Sequence, residues 1–206
     1  MQLIGMLDSP YVRRVAISLQ LLGLRFEHRP LSVFRNFDQF QAINPVVKVP
    51  TLVCEDGQVL VDSTLIIDYA ESLAGRSLLP DQPAQRLRAL RTIGLAMAAC
   101  EKSVQLLYER RLRPPDKQHA PWLERVTGQM QAAFALLEAE LGQGAAPEAT
   151  RQDGLSLAVA WHFARQTAGD LLSADTHPRL ESFSAAAEAL PAFAAAPHGE
   201  GRFGPA

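Results

Sequence analysis

Gln2-Leu-Ile-Gly-Met-Leu-Asp-Ser-Pro-Tyr-Val-Arg-Arg-Val-Ala16 decides how the chain begins to fold. Its apolar run over residues 2–7 suits a short buried strand. Ser9-Pro10 follows, an N-cap hydroxyl directly before a proline at the first helical position, where the missing N–H costs nothing. Val12, Val15, Ala16, Leu19 and Leu22 continue at helical spacing, and Gly23 stops the helix. Residues 26–31 read as a second strand, and residues 36–43 as a short helix closed by Asn44-Pro45. Residues 51–54 and 58–61 flank Glu55-Asp56-Gly57, a hairpin signal. Asp62-Ser63 then caps a helix carrying Leu65, Ile66, Tyr69 and Leu73, ended by Gly75. The expected order is β-α-β-α-β-β-α, a small mixed α/β sheet with its first βαβ unit parallel and its hairpin antiparallel.

The composition changes near residue 80. Residues 1–80 hold 14 of the 18 valines and isoleucines, whereas residues 81–206 hold 27 alanines against four before them. Because β-branched residues favour strands and alanine favours helices, the second part is expected to be all-α. The segment Arg76-Ser-Leu-Leu-Pro-Asp-Gln-Pro83 reads as the linker, giving expected domains at 1–79 and 85–206. Helical patterns cover residues 83–111, broken by Pro114-Pro115, then 121–141 and 178–190. Thr150-Arg-Gln-Asp153 is a capping-box variant expected to open a further helix that ends at Gly169. The Gly/Pro-rich tail from Pro197 is expected to fray.

The 206 residues carry a net charge of −2, with 48% hydrophobic and 20% charged residues. A chain of that length and makeup buries a core without a disulfide or metal staple. Near-neutral balance argues against a nucleic-acid module. Cys54 and Cys100 are far apart with no Cys/His cluster, so neither a disulfide framework nor a zinc site is expected. No apolar run reaches the ~20 residues that cross a bilayer, and no signal peptide is read at the N-terminus, so the expectation is a cytoplasmic protein without a membrane partner.

Three short motifs carry candidate chemistry. Ser9 places a hydroxyl beside the free N–H groups of a helix start, which suits a thiolate brought by a substrate; the same residue also reads as a plain N-cap. Val49-Pro50, entering a strand, would if cis offer the backbone of Val49 to an extended peptide. Asp62-Ser63 suits an α-amino acid head group: Ser63 caps the helix and leaves N–H groups for a carboxylate, while Asp62 takes an ammonium. There is no G-x-S-x-G elbow around Ser9 to support a serine hydrolase.

Taken in order, Ser9-Pro-Tyr-Val-Arg-Arg-Val15, Asn44-Pro-Val-Val-Lys-Val-Pro-Thr-Leu52 and Leu60-Val-Asp-Ser-Thr-Leu-Ile-Ile-Asp-Tyr69 resemble the thioredoxin-like domain of the glutathione transferases. An alanine-rich helical domain follows, as in that family, and Thr150-x-x-Asp153 resembles the capping box that opens the buried helix of its second domain. The resemblance covers all but the tail. It implies a glutathione transferase in which Ser9 is catalytic and meets the glutathione sulfur. Val49 would pair with the cysteinyl backbone, Pro50 would be the cis-proline, and Lys48 would meet the glycyl carboxylate. Asp62 and Ser63 would hold the γ-glutamyl group, the family more often using Glu at the first of these. Glutathione would act as co-substrate, and a homodimer is implied. The Ser-Pro-Tyr-Val segment resembles the omega-class motif with Ser in place of its cysteine, and Ser9 fits the tau-like and bacterial serine-type members. The Ser-Ser-Cys motif of maleylacetoacetate isomerases is absent.

A glutathione thiol ionises well above neutrality, near the cysteine value of about 8.5, so a donor at Ser9 would favour the attacking thiolate. The electrophile is expected in a cleft between the domains, against Tyr11, Phe34, Tyr108 and Trp161, with no metal required. The alternative is a non-catalytic binding scaffold of the same fold, like the stringent starvation proteins. A dehalogenase or ether-cleaving enzyme shares the glutathione half-site and differs in the electrophile.

Overall fold

The computed structural model describes residues 1–144 and 146–204. Its chain contacts divide it into two compact units, Met1–Leu78 with the tail from Ala189, and Leu79–Glu188.

The first unit contains β1 (Gln2–Ile4), α1 (Pro10–Leu21), β2 (Glu27–Arg29), α2 (Phe37–Ile43), β3 (Thr51–Val53), β4 (Val59–Val61) and α3 (Ser63–Ala74). The sheet order is β2-β1-β3-β4. β1 runs parallel to β2 with Leu3 beside His28, antiparallel to β3 with Ile4 beside Thr51, and β3 pairs antiparallel to β4 with Thr51 beside Val61. This is the expected thioredoxin-like mixed sheet. The first strand is shorter than its apolar run because Gly5, at φ +135°, turns the chain out of extended geometry. Leu3, Ile4, Val15, Leu19, Leu52 and Ile66 are fully buried where α1 and α3 cover the sheet. Each contributes about 1.5–3 kcal/mol on leaving water.

The second unit is helical: α4 (Pro83–Leu112), α5 (Ala120–Gln143), α6 (Gln152–Ala168) and α7 (Pro178–Glu188). Ala89, Ile93, Ala96, Cys100 and Ser103 form a small-residue stripe that lets α4 pack closely on α5 and α6. Helix α6 is buried almost all round, and Ser184 of α7 donates to the Ala158 carbonyl at 3.1 Å. The buried Glu138 carboxylate of α5 accepts from the Arg179 and Leu180 N–H groups at 3.1 and 2.9 Å, satisfying donors that the first turn of α7 leaves unbonded. No helix among the described residues is long and apolar enough to cross a membrane.

Two local expectations are corrected. Thr150 does not cap α6: the helix starts at Gln152, Arg151 holds the N-cap position, and no side chain closes it. The Arg151 N–H turns back to the Glu148 carbonyl at 2.9 Å, and a Cβ at Gly154 would lie 2.3 Å from that oxygen, so the incoming loop presses on the first turn. Asp153 Oδ1 is buried without a partner among the described residues, and desolvation pushes its carboxyl above the usual range. The tail is the second correction. α8 (Pro191–Ala194) and the irregular segment after it cluster with the first unit rather than the helical one. Arg13 Nε donates to the Ala196 carbonyl at 2.7 Å with its guanidinium over the Phe193 ring, and the Phe203 ring packs on Phe26 with centroids 4.6 Å apart. A Gly/Pro-rich composition does not fray when its few aromatic and carbonyl groups find a docked surface.

Candidate active site

Strand register brings the three motifs to one edge of the sheet. Ile4 ends β1, Thr51 begins β3 and Val61 ends β4, and these three lie side by side. The loop into α1 leaves from the first, Val49-Pro50 enters at the second, and Asp62-Ser63 leaves from the third. Two helix starts therefore face the same edge.

Ser9 is the N-cap of α1, half-buried, with backbone at φ −73°, ψ 123°. Its Oγ accepts from the Val12 N–H at 3.4 Å, a long bond that leaves the hydroxyl hydrogen available to another acceptor. Neighbouring Asp8 has its carboxyl pushed up chiefly by desolvation. The Ser9 backbone N–H opposes that shift, as does Arg35, while Glu200 adds to it.

Val49-Pro50 is a cis peptide. Gly5 explains how this loop meets α1: a Cβ there would lie 2.6 Å from Val12 Cγ2 and 3.0 Å from Val49 Cγ1. Only a glycine lets the end of β1 fit between the first turn of α1 and the loop before β3. The loop is held on its other side by Asn44, whose Nδ2 donates to Thr51 Oγ1 at 2.9 Å, and Thr51 donates to the Lys48 carbonyl at 2.6 Å. Val47 sits at φ +51°, a left-handed conformation that a β-branched residue adopts only under constraint. Among the described residues the Val49 backbone N–H and C=O make no hydrogen bond. Lys48 is exposed.

At the third motif the roles differ from expectation. Asp62, not Ser63, is the N-cap of α3: its Oδ1 accepts from the Thr64 N–H at 2.8 Å. Asp62 also has φ +73°, a conformation costing on the order of 1–3 kcal/mol that persists only when the surroundings impose it. Such outliers concentrate at ligand clamps. Ser63 is buried, and its Oγ accepts from Arg14 Nη1 at 3.0 Å; the same nitrogen reaches Thr64 Oγ1 at 3.2 Å. Arg14 is 1% exposed and ties the first turn of α3 to α1. Sequence reasoning missed this residue, since arginine normally lies at the surface. The only signal was its place one turn past Pro10.

The expected aromatic wall is unevenly placed. Tyr11 is half-buried in the first turn of α1 and Phe34 is 57% exposed in the same unit. Tyr108 stands 41% exposed on α4. Trp161 is 1% exposed inside the helical unit, edge-on to Phe134 with centroids 5.1 Å apart, and its Nε1 donates to Glu181 at 2.9 Å. The His177 ring also packs on it, with centroids 5.2 Å apart, so its ring and its polar atom are already engaged. Cys54 and Cys100 are buried free thiols, and no His/Cys/Asp/Glu group among the described residues has a metal-binding arrangement.

Residues 3–78 match the family model described as the glutathione S-transferase N-terminal domain. The chain is 31% identical over 148 residues to the uncharacterized GST-like protein YibF of Escherichia coli (strain K12), covering 70% of this chain and 71% of that one. Among solved structures it is similar to a glutathione transferase family member of Pseudomonas fluorescens Pf-5 with bound S-(propanoic acid)-glutathione. Identity there is 29% and TM-score 0.77, over 95% of this chain and 98% of that one. A glutathione S-transferase of Methylobacterium radiotolerans in complex with glutathione sulfonate matches at 27% identity and TM-score 0.84, over 94% and 92%.

Proposed function

Since this chain belongs to the glutathione S-transferase family, we propose that it binds glutathione at the shared edge of β1, β3 and β4 and transfers its thiolate to a small hydrophobic electrophile. The observation that carries the reading is the convergence of the Ser9, Val49-Pro50 and Asp62-Ser63 motifs on that edge.

Each group has a role its chemistry allows. The γ-glutamyl end of glutathione carries an ammonium and a carboxylate. Asp62 Oδ2, left over when Oδ1 caps α3, takes the ammonium; Ser63 and the start of α3 take the carboxylate. The unbonded N–H and C=O of Val49 pair with the cysteinyl unit as a short antiparallel ladder. Lys48 meets the glycyl carboxylate. This three-point hold sets the sulfur at Ser9, whose hydroxyl donates to the thiolate while the α1 N-terminus adds its positive end. Stabilising the thiolate lowers the thiol pKa and raises the fraction of nucleophile at neutral pH. The thiolate then attacks the electrophilic carbon, and the leaving group departs with the electron pair of the broken bond. Tyr11 and Phe34 of the first unit are the proposed apolar contacts of the electrophile, and the engaged Trp161 is left out. A homodimer is proposed on family likeness.

A calorimetric titration with glutathione tests the reading. Asp62→Asn keeps a capping oxygen but removes the charge, and is expected to weaken binding about ten- to a hundred-fold, the loss of a charge-assisted bond of about 1.5–3 kcal/mol. Absence of glutathione binding by the unaltered protein would favour the scaffold alternative. Unchanged affinity in the variant would remove Asp62 from the site.

A further inference from the structure

The C-terminal strap is fastened by a histidine. His28 is buried in edge strand β2, and both of its ring nitrogens are engaged. Nε2 lies 2.8 Å from the Gly5 carbonyl, which can only accept, so Nε2 carries the hydrogen. Nδ1 lies 2.9 Å from the Phe203 N–H, which can only donate, so Nδ1 must be the bare lone pair. The two bonds together require the neutral imidazole. They also join distant parts of the chain: Gly5 is the glycine wedged between Val12 and Val49, and Phe203 anchors the strap through its ring on Phe26. The strap closes on itself through the Gly204 N–H to the Ala195 carbonyl at 3.0 Å. Between these anchors Glu200 reaches Arg35 Nη1 at 2.6 Å, beside Asp8 and the loop into Ser9.

We infer that His28 is a pH-sensitive clasp: its neutral form holds the C-terminal strap on the first unit, and protonation at Nδ1 removes the acceptor of the Phe203 N–H, sets two donors against each other and releases the strap. Release would withdraw Glu200 from Arg35 and leave Arg35 facing Asp8 and Met6 next to the loop that carries Ser9.

The charges around His28 act in the same direction. Burial is the main cause that pushes its pKa down, the Gly5 carbonyl opposes it, and the cation of Arg202 in the strap pushes it down further. Glu27 and Arg29, its neighbours in β2, point to the other face of the sheet and are bonded to Gln2 at 2.8 and 3.3 Å. Asp8, Arg35 and Glu200 form their own cluster along the strap. With the docked value below the undocked one of about 6.5, docking is at full strength above pH 6.5 and weakens as pH falls through and below it.

Amide exchange of Phe203 followed by NMR on the full chain reads the clasp directly, once rates are corrected for the intrinsic pH dependence. Its protection is expected to fall about three- to tenfold between pH 7.5 and 5.5 in the unaltered protein and to stay constant in His28→Gln, whose amide does not titrate. Should that variant fail to fold, the His28 ring nitrogen shifts of the unaltered protein decide alone: Nδ1 protonation must track the loss of Phe203 protection. Constant protection in the unaltered protein, an equal loss in His28→Gln, or a charged His28 with Phe203 still protected would each overturn the clasp.

Discussion

Asp62 shows how much one residue is asked to do. It caps α3 through Oδ1, holds φ +73°, and leaves its second carboxylate oxygen outside the cap. The Asp-Ser pair was visible in the sequence, but not which member caps, because that depends on Arg14 taking the Ser63 hydroxyl from within the core. Asp and Asn tolerate positive φ better than alanine does. Asp62→Ala is therefore expected to lose about 0.5–2 kcal/mol of stability through the cap alone, while Asp62→Asn keeps nearly all of it. Chemical denaturation of the two variants checks this, and equal stability of both would remove the cap from the account. Ser9 was as legible as Asp62, since Ser-Pro before an apolar helix allows few other readings. Arg13 and Arg14 were not, because nothing local distinguishes a buried arginine from a surface one.

At the scale of elements, the strand-helix order and the hairpin could be read from β-branched runs and the Asp-Gly turn. What could not be read was where elements press on one another. Gly5 lay unremarked within the apolar run of residues 2–7; it is the contact point of β1, α1 and the loop before β3. Gly5→Ala would put a methyl group 2.6 Å from Val12 Cγ2 at φ +135°. The change is expected to cost about 1–3 kcal/mol and to lower the melting temperature, as overpacking and backbone strain add. Glu138 makes the same point in the helical unit, where its buried carboxylate caps α7 from a neighbouring helix 41 and 42 residues away in sequence. Glu138→Ala is expected to lose about 1–3 kcal/mol, leaving the buried Leu180 N–H and the part-buried Arg179 N–H without this acceptor. A denaturation midpoint equal to that of the unaltered protein would contradict it. At the start of α6, likewise, the Glu148 carbonyl lies where a Cβ at Gly154 would sit, and Arg151 rather than Thr150 holds the N-cap position.

For the whole molecule, the shift from β-branched to alanine-rich sequence near residue 80 marked the change of architecture, and the contact boundary falls at Leu78/Leu79. The returning tail escaped because its docking depends on His28, Arg13 and Phe26, which are far away in sequence. The central claim is that the edge shared by β1, β3 and β4 holds glutathione with its sulfur at Ser9. The most direct test is the pH profile of kcat/KM for transfer of glutathione to an activated aryl halide, in the unaltered protein and in Ser9→Ala. Alanine removes the hydroxyl donor but keeps the helix N-terminus, so the apparent pKa of the bound thiol is expected to rise by about one to two pH units, with some thiolate stabilisation remaining. A profile that stays in place while only stability falls would mean that Ser9 is a helix cap and nothing more.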